Sequence, residues 1–164
     1  MKNDLNKFQF KIVFGIGSNL GDRKNNIKIA VDKLIKSLFL SKTKTSNIFK
    51  NPAMLLANSP EEWNLEFYNI ALSAVININE FPPFKILEII KNIEKEIGRN
   101  PSMKWAPREI DIDILAIDEI FFNDKDILTI PHQGLLEREF FYKTMQEIEP
   151  ELLSIIENKM ISKK

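Results

Sequence analysis

Two aspartates separated by one residue lie in a regular polar and apolar alternation. In residues 109–115, isoleucines alternate with Asp111 and Asp113, which predicts a strand with the isoleucines on one face and both carboxylates on the other. Neighbours on one face of a strand are about 6.6 Å apart at Cα, so the two carboxylates can bind one or two hard cations such as Mg²⁺. The alternative is the solvated face of a half-buried strand, because Asp-x-Asp is a common pattern.

A polar loop with three cations precedes this strand. Residues 99–108 contain Arg99, Lys104 and Arg108. Guanidinium groups bind phosphate oxygens in a forked geometry, so cations beside carboxylate-bound Mg²⁺ are what a polyphosphate requires. The sequence therefore predicts phosphate chemistry here, and the alternative is a solvated cationic loop.

Three further features are weak evidence when each is taken singly. Gly15, Gly17 and Gly21 form G-x-G-x-x-x-G, one residue off the dinucleotide-binding fingerprint, and they also suit a tight turn between a strand and a helix. His132 is the only histidine, and a lone histidine is more often structural than catalytic. The remaining candidates are aromatic residues that form either core or a ring clamp, namely Phe67, Trp105 and Phe140.

Composition limits the chemistry that is available. The 164 residues include 23 Lys and Arg, 23 Asp and Glu, no Cys and one His. Without cysteine there is no thiolate nucleophile and no sulfur-ligated zinc, so we expect any metal to be a hard cation on carboxylates. Zero net charge argues against nucleic acid as a partner. Because no run of 18 apolar residues and no apolar leader is present, we expect no membrane partner and a cytoplasmic location.

The elements that must position these residues follow from periodicity. Apolar alternation and apolar runs predict strands at residues 8–15, 43–49, 67–78, 109–115, 120–122 and 128–131. Helical spacing predicts helices at residues 23–38, 82–97, 135–148 and 152–160. The predicted loops are residues 15–22, 51–64 and 99–108.

The element order β-α-β-β-α-β is typical of a ferredoxin-like fold. We expect an α+β architecture with a mainly antiparallel sheet, helices packed on one side of it, and the C-terminal helices as additions. The length fits a single domain that spans residues 1–164.

Five ordered segments resemble the 6-hydroxymethyl-7,8-dihydropterin pyrophosphokinases of folate biosynthesis. They are residues 15–22 (GIGSNLGD), 67–69 (FYN), 93–99 (IEKEIGR), 105–115 (WAPREIDIDIL) and 128–140 (LTIPHQGLLEREF). The resemblance implies one pyrophosphokinase domain. It would transfer pyrophosphate from ATP to the hydroxymethyl group of the dihydropterin, which gives AMP and the pterin diphosphate.

The resemblance also implies roles on the ATP side. Asp111 and Asp113 would hold two Mg²⁺ ions on the triphosphate, and Arg99 and Arg108 would be catalytic residues with them. The implied ATP-binding residues are Glu94, Arg99, Trp105, Arg108, Ile114, Thr129, His132 and Arg138.

On the pterin side, the resemblance implies that Phe67 and Phe140 stack on the two faces of the ring. Asn69 would hydrogen-bond its polar edge, because an amide offers both a donor and an acceptor. The other implied pterin-binding residues are Asn51, Pro52, Met54 and Asp111.

The loop before the aspartate strand departs from the family pattern. Residues 100–104 (NPSMK) are shorter and less basic than is common in the family, and Ala106 stands where glycine is usual. We therefore expect looser ATP binding or a different loop closure, with the metal and pterin positions unaffected.

Two other classes of protein stay open. A different Asp-x-Asp nucleotide transferase, acting for example on nucleotide sugars, would use the same Mg²⁺ chemistry without a pterin. A non-catalytic RNA-binding sheet of the same strand order would need a basic face and an aromatic strand motif, and the zero net charge and the lack of that motif count against it. The sequence also leaves open whether the chain works alone or is joined to another folate-pathway enzyme.

Overall fold

The described part of the chain forms a five-stranded antiparallel sheet. The computed structural model describes residues 6–100 and 104–163. Its strands are β1 (Gln9–Ser18), β2 (Ser41–Thr45), β3 (Phe49–Asn51), β4 (Phe67–Asn77) and β5 (Asp111–Ile117). The order is β2–β4–β1–β5. Strand β3 lies on the same edge of β4 as β2 and pairs with the first residues of β4. This order confirms the predicted ferredoxin-like arrangement, and a separate hairpin follows as β6 (Phe122–Asp124) and β7 (Leu128–Ile130).

Two helices cover one face of the sheet, namely α1 (Arg23–Ser37) and α2 (Pro83–Ile97). The side chain of Asp22 accepts the backbone N–H of Asn25 at 3.1 Å and caps the start of α1. Gly98, at φ 119°, ends α2 in the left-handed conformation that glycine adopts without strain. The buried helix residues that pack on this face include Ile27, Ala30, Leu34, Ile86, Ile90 and Ile93.

The C-terminal helices, α3 (Glu139–Ile148) and α4 (Pro150–Ser162), lie on the opposite face. Phe141 and Met145 of α3 pack with Val13 of β1, Ala71 of β4 and Leu115 of β5. The predicted additions therefore form a second helical layer, and the sheet lies between two layers. Among residues 6–100 and 104–163, no helix has the length and apolarity needed to cross a membrane.

Strand β1 continues past the predicted strand end at Gly15. Gly15 and Gly17 lie inside the strand, and β1 pairs with β4 through Ser18. The expected loop at residues 15–22 is therefore wrong at its start. Both edges of β1 are occupied by hydrogen-bonded neighbours, and this pairing keeps the glycines extended despite their low strand propensity.

The predicted strand at residues 43–49 is divided into β2 and β3. Ser46 lies between them, and its buried hydroxyl accepts the backbone N–H of Ala71 at 2.9 Å. This side-chain hydrogen bond interrupts the backbone ladder between β2 and β3, and the pairing register with β4 shifts between them.

The predicted helix at residues 135–148 begins later, at Glu139. The preceding residues form tight turns, in which Leu135 N–H donates to the His132 carbonyl at 3.0 Å and Arg138 N–H donates to the Gly134 carbonyl at 2.9 Å. Leu135 has the spacing of a helical core residue because these turns, rather than a helix, bring it into the core.

Candidate active site

Two glycines form the floor of a cleft on the face of the sheet that carries α3. Across the β1–β5 pair, Gly15 lies opposite Asp113 and Gly17 lies opposite Asp111. On the other side of β1, Gly17 lies opposite Asn69 of β4. Because glycine has no side chain, the ring of Phe141 can pack on Gly15 and the amide of Asn69 can lie against Gly17 at the floor of the cleft.

Asp111 is held by two arginines. Nη1 of Arg99 lies 2.8 Å from Oδ1 of Asp111, and Nη2 of Arg108 lies 3.3 Å from Oδ2. Arg99 also forms an ion pair with Glu94 near the end of α2. These contacts bring together the predicted catalytic residues Arg99, Arg108 and Asp111, and they connect α2 to β5.

Asp113 faces the only histidine of the chain. Nε2 of His132 lies 3.6 Å from Oδ1 of Asp113. Nδ1 of His132 accepts the backbone N–H of Gly134 at 2.9 Å, so in the neutral ring the hydrogen is on Nε2. His132 therefore presents an N–H donor beside Asp113.

The two aspartates are the metal-binding groups that the cleft offers. Their side chains are 27% and 28% exposed, so both carboxylates are accessible to a ligand. Within the described ranges, no group of three or more His, Cys, Asp or Glu side chains is arranged to hold a metal ion. Two carboxylates nevertheless suit Mg²⁺, which is usually held by one or two carboxylates together with substrate phosphates.

Trp105 and Arg108 reach the cleft from the loop before β5. The guanidinium carbon of Arg108 lies 5.8 Å from the centre of the Phe67 ring. Nε of Arg108 and Nε1 of Trp105 are buried and lack a hydrogen-bond partner in the part of the chain described. Buried donors are normally paired, so both are candidates to bind a ligand. Residues 101–103, part of the short and weakly basic stretch noted above, lie outside the described residues.

The first cleft has aromatic walls and about 490 Å³ of empty space that opens to solvent. Phe67 and Phe140 line it, and the amide of Asn69 donates a hydrogen bond to Oδ1 of Asn51 within it. The predicted pterin-binding residues that line this cleft are Asn51, Met54, Phe67, Asn69, Asp111 and Phe140.

A second cleft, with about 670 Å³ of empty space, lies between β5 and the β6–β7 hairpin. Ile114, Thr129 and His132, three of the predicted ATP-binding residues, line it. Asp113 lines both clefts. The two clefts therefore meet at the aspartate pair.

The other predicted site residues are distributed unevenly. Trp105, Arg108 and Arg138 line the first cleft, although they were expected on the ATP side. Arg138 lies there because it immediately precedes α3, and its guanidinium carbon is 5.4 Å from the centre of the Phe141 ring. Pro52 lines neither cleft, and its carbonyl accepts a hydrogen bond from Nδ2 of Asn51 at 3.1 Å.

Sequence reasoning missed Asn19 and Phe141. Asn19 is 3% exposed and hydrogen-bonds to Arg108, and the available signal was a polar side chain directly after a buried strand.

Phe141 packs on Gly15, where an added Cβ would lie 2.9 Å from its ring. Its neighbour Phe140, which the resemblance implied, lines the first cleft as well. Lys125 and Gln133, which line the second cleft, were also missed.

Two clefts that meet at Asp113, with two arginines beside the neighbouring Asp111, are an arrangement typical of enzymes that transfer phosphoryl-type groups. The sequence pattern of the 7,8-dihydro-6-hydroxymethylpterin-pyrophosphokinase (HPPK) family matches residues 13–150. The chain belongs to this family.

Curated relatives agree with this assignment. The chain is 37% identical over 148 residues to the 2-amino-4-hydroxy-6-hydroxymethyldihydropteridine pyrophosphokinase of Aquifex aeolicus, covering 90% of this chain and 86% of that protein. It is 39% identical over 140 residues to a folate synthesis bifunctional protein of Chlamydia trachomatis. That match covers 85% of this chain, which spans only 30% of the length of the bifunctional relative.

Solved structures support the fold. The HPPK-DHPS protein of Plasmodium falciparum, crystallised with pteroate, has a TM-score of 0.59 against this chain at 16% identity. The match covers 94% of this chain and 43% of the other. At this low identity the likeness establishes the ferredoxin-like architecture alone, and it agrees with the observed strand order.

Proposed function

We propose that this chain transfers the pyrophosphoryl group of ATP to the hydroxymethyl oxygen of 6-hydroxymethyl-7,8-dihydropterin, with Mg²⁺ bound at Asp111 and Asp113. The observation that carries the proposal is that Asp113 lines both clefts. A flat acceptor in the aromatic cleft and a nucleotide in the second cleft would meet at this carboxylate pair. Positioning of this kind accounts for much of the catalysis of phosphoryl transfer.

The first cleft suits the pterin. Phe67 and Phe140 offer apolar ring faces to a flat heterocycle. Asn69 and Asn51 offer amide donors and acceptors that match the mixed polar edge of the pterin. With the ring held this way, the hydroxymethyl group would point toward Asp111 and Asp113.

The second cleft suits the nucleotide. Ile114 and Thr129 would contact the adenine, and the Nε2–H of His132 is a donor for a phosphate oxygen beside Asp113. Lys125 from the hairpin adds a cation to the same cleft. Bound Mg²⁺ would supply positive charge to the phosphate oxygens.

The arginines would change partners when ATP binds. Arg99 and Arg108 are now paired with Asp111, and Arg99 also with Glu94. Phosphate oxygens would compete for these guanidinium groups and free Asp111 for the metal. The hydroxymethyl oxygen would then attack the β-phosphorus of ATP. The bond from that phosphorus to the oxygen that bridges it to the α-phosphorus would break. AMP would leave with that oxygen, and one proton would be released overall.

The test is the release of AMP from ATP with and without the dihydropterin, and with and without Mg²⁺. The proposal predicts that AMP release needs both, and that the pterin raises the melting temperature of the chain. Equal AMP release without the pterin would contradict it. Stabilisation by a nucleotide sugar rather than by the pterin would favour the other Asp-x-Asp transferase.

Three expectations remain predictions. They are that residues 1–164 form one pyrophosphokinase domain, that the enzyme acts in the cytoplasm, and that two Mg²⁺ ions bind. Fusion to a second folate enzyme also stays open, with support from the bifunctional relatives.

A further inference from the structure

A buried carboxylate outside both clefts holds the C-terminal helices to the sheet. Glu149 lies between α3 and α4, and its side chain is 6% exposed. Nζ of Lys11 lies 2.7 Å from Oε2, and Nζ of Lys44 lies 3.1 Å from Oε1. The hydroxyl of Ser73 donates a third hydrogen bond to Oε1. One side chain of the helical layer is therefore bound to three strands, β1, β2 and β4.

Glu149 and Phe141 anchor opposite ends of α3. Phe141 packs against Gly15 of β1, and Glu149 pairs with Lys11 of the same strand. Eight residues of helix from Phe141 to Glu149 span about 12 Å, and four residues of strand from Gly15 to Lys11 span about 13 Å. The two spans are similar, so α3, which packs mainly on β4 beside β1, has one end at the aromatic cleft and the other at Glu149.

The helix end beside the cleft carries the residues that face the ligand. Phe140 and Arg138 both line the first cleft, and Phe141 holds them by packing on a strand position without a side chain. Apolar contact with a glycine does not by itself prevent sliding of a helix along a strand. The buried ion pair and hydrogen bonds of Glu149 at the far end do prevent sliding, because any shift would leave its carboxylate desolvated and without partners.

We propose that Glu149 is a positioning residue for the acceptor cleft, which acts by fixing α3 lengthwise on the sheet so that Phe140 and Arg138 meet the bound ring. This inference rests on the proposed function, since it concerns the pterin cleft. The second cleft is lined mainly by other elements, namely α2, β5 and the hairpin, and the segment before α3 contributes only His132 and Gln133. Loss of Glu149 should therefore affect the two substrates unequally.

The experiment compares Glu149→Gln with wild type at 25 °C and neutral pH, after circular dichroism has shown that both are folded. The KM for the pterin should rise at least about threefold with the KM for ATP nearly unchanged, because only the acceptor groups move. Hydrogen exchange should increase in residues 138–148 and stay unchanged in α1. Ser73→Ala, which removes one donor and keeps both lysines, should give a smaller change in the same direction.

The matched control is Glu119→Gln. Glu119 pairs with Lys159 of α4 at 2.9 Å, with both side chains about half exposed, so the variant breaks another contact of the C-terminal helices without touching α3. It should leave both KM values unchanged.

Each other result overturns one specific claim. A wild-type pterin KM in Glu149→Gln would overturn the positioning role. So would equal increases in both KM values together with faster exchange in α1, because that pattern reports general destabilisation. If the wild-type chain releases no pterin-dependent AMP, the proposed function fails, and exchange in residues 138–148 still decides whether Glu149 fixes α3.

Discussion

The side-chain Oδ1 of Asn19 accepts the backbone N–H of Arg108 at 2.9 Å, across 89 residues of sequence. The backbone N–H of Asn19 donates in return to the Arg108 carbonyl at 3.2 Å, and its Nδ2 donates to the Leu65 carbonyl at 3.1 Å. One buried amide thus ties the segment that carries Arg108 to the segment that enters β4 just before Phe67. This arrangement fixes the backbone on both sides of the first cleft.

Asn19→Ala should lower kcat/KM by about ten- to a hundredfold, because removing a buried amide leaves its partners unsatisfied at a cost of about 1–3 kcal/mol. Steady-state kinetics with both substrates measures the loss. Asn26→Ala is the control, since Nδ2 of Asn26 donates to the nearby Leu20 carbonyl at 3.0 Å without reaching Arg108. If both variants lose activity equally, Asn19 has no special role in the site.

Asp111→Asn and Asp113→Asn should each reduce kcat by at least about 10²-fold. Each variant removes a carboxylate that binds Mg²⁺, so the positive charge that stabilises the phosphate oxygens would be held less firmly. The activity that remains should require more Mg²⁺, which a titration of rate against Mg²⁺ measures. Asp32→Asn removes an exposed carboxylate on α1 and should keep the wild-type Mg²⁺ dependence. An Asp113→Asn enzyme with the wild-type rate would contradict the proposed metal site.

Gly17→Ala should weaken pterin binding by about ten- to a hundredfold, the size expected when a buried polar group loses its position. An added Cβ at Gly17 would collide with Oδ1 of Asn69, so the amide must turn away from the ring. Calorimetry with the pterin measures the effect. In the double variant Gly17→Ala/Asn69→Ala the loss should match that of Asn69→Ala alone, since the two changes act on one contact. Fully additive losses would mean that Gly17 acts in another way.

The contribution of Glu149 to the stability of the fold should be lost at acidic pH. Burial raises the pKa of its carboxyl, but hydrogen bonds from Lys11, Ser73 and Lys44 outweigh burial and hold the pKa below its usual value. A lowered folded-state pKa means that Glu149 stabilises the fold above the usual glutamate range. That contribution is lost as the pH falls through the lowered pKa.

Urea unfolding at about pH 7 and about pH 4 measures this contribution. At neutral pH, Glu149→Gln should be less stable than wild type by about 1–3 kcal/mol. At about pH 4 the difference should begin to shrink, because the carboxyl of unfolded wild type takes up a proton there, and it should shrink further as the pH falls through the lowered folded-state pKa. A difference that stays constant between the two pH values would show that the carboxylate charge is not the source of the stability.

Local patterns were sufficient for the regular elements and for the metal-binding pair. The alternation around Asp111 and Asp113 predicted their strand and their common face, because the direction of side chains along a strand depends only on its two-residue period. The apolar spacing of α1 and α2 was equally local. The later start of α3 could not be predicted this way, since Leu135 is buried by turns whose hydrogen bonds depend on Gly134 and His132.

The sequence by itself determined the chemical groups: two carboxylates on one face of a strand, nearby arginines, a single histidine and no thiol. Only the tertiary structure decided that Gly15 and Gly17 lie in a strand at the floor of the cleft rather than in a turn, because hydrogen bonding on both edges of β1 overrides their flexibility. It also decided that Asn19 supports Arg108 and that Glu149 anchors α3. These contacts join residues far apart in the chain, and such pairings arise from the packing of the whole sheet, which no short segment encodes.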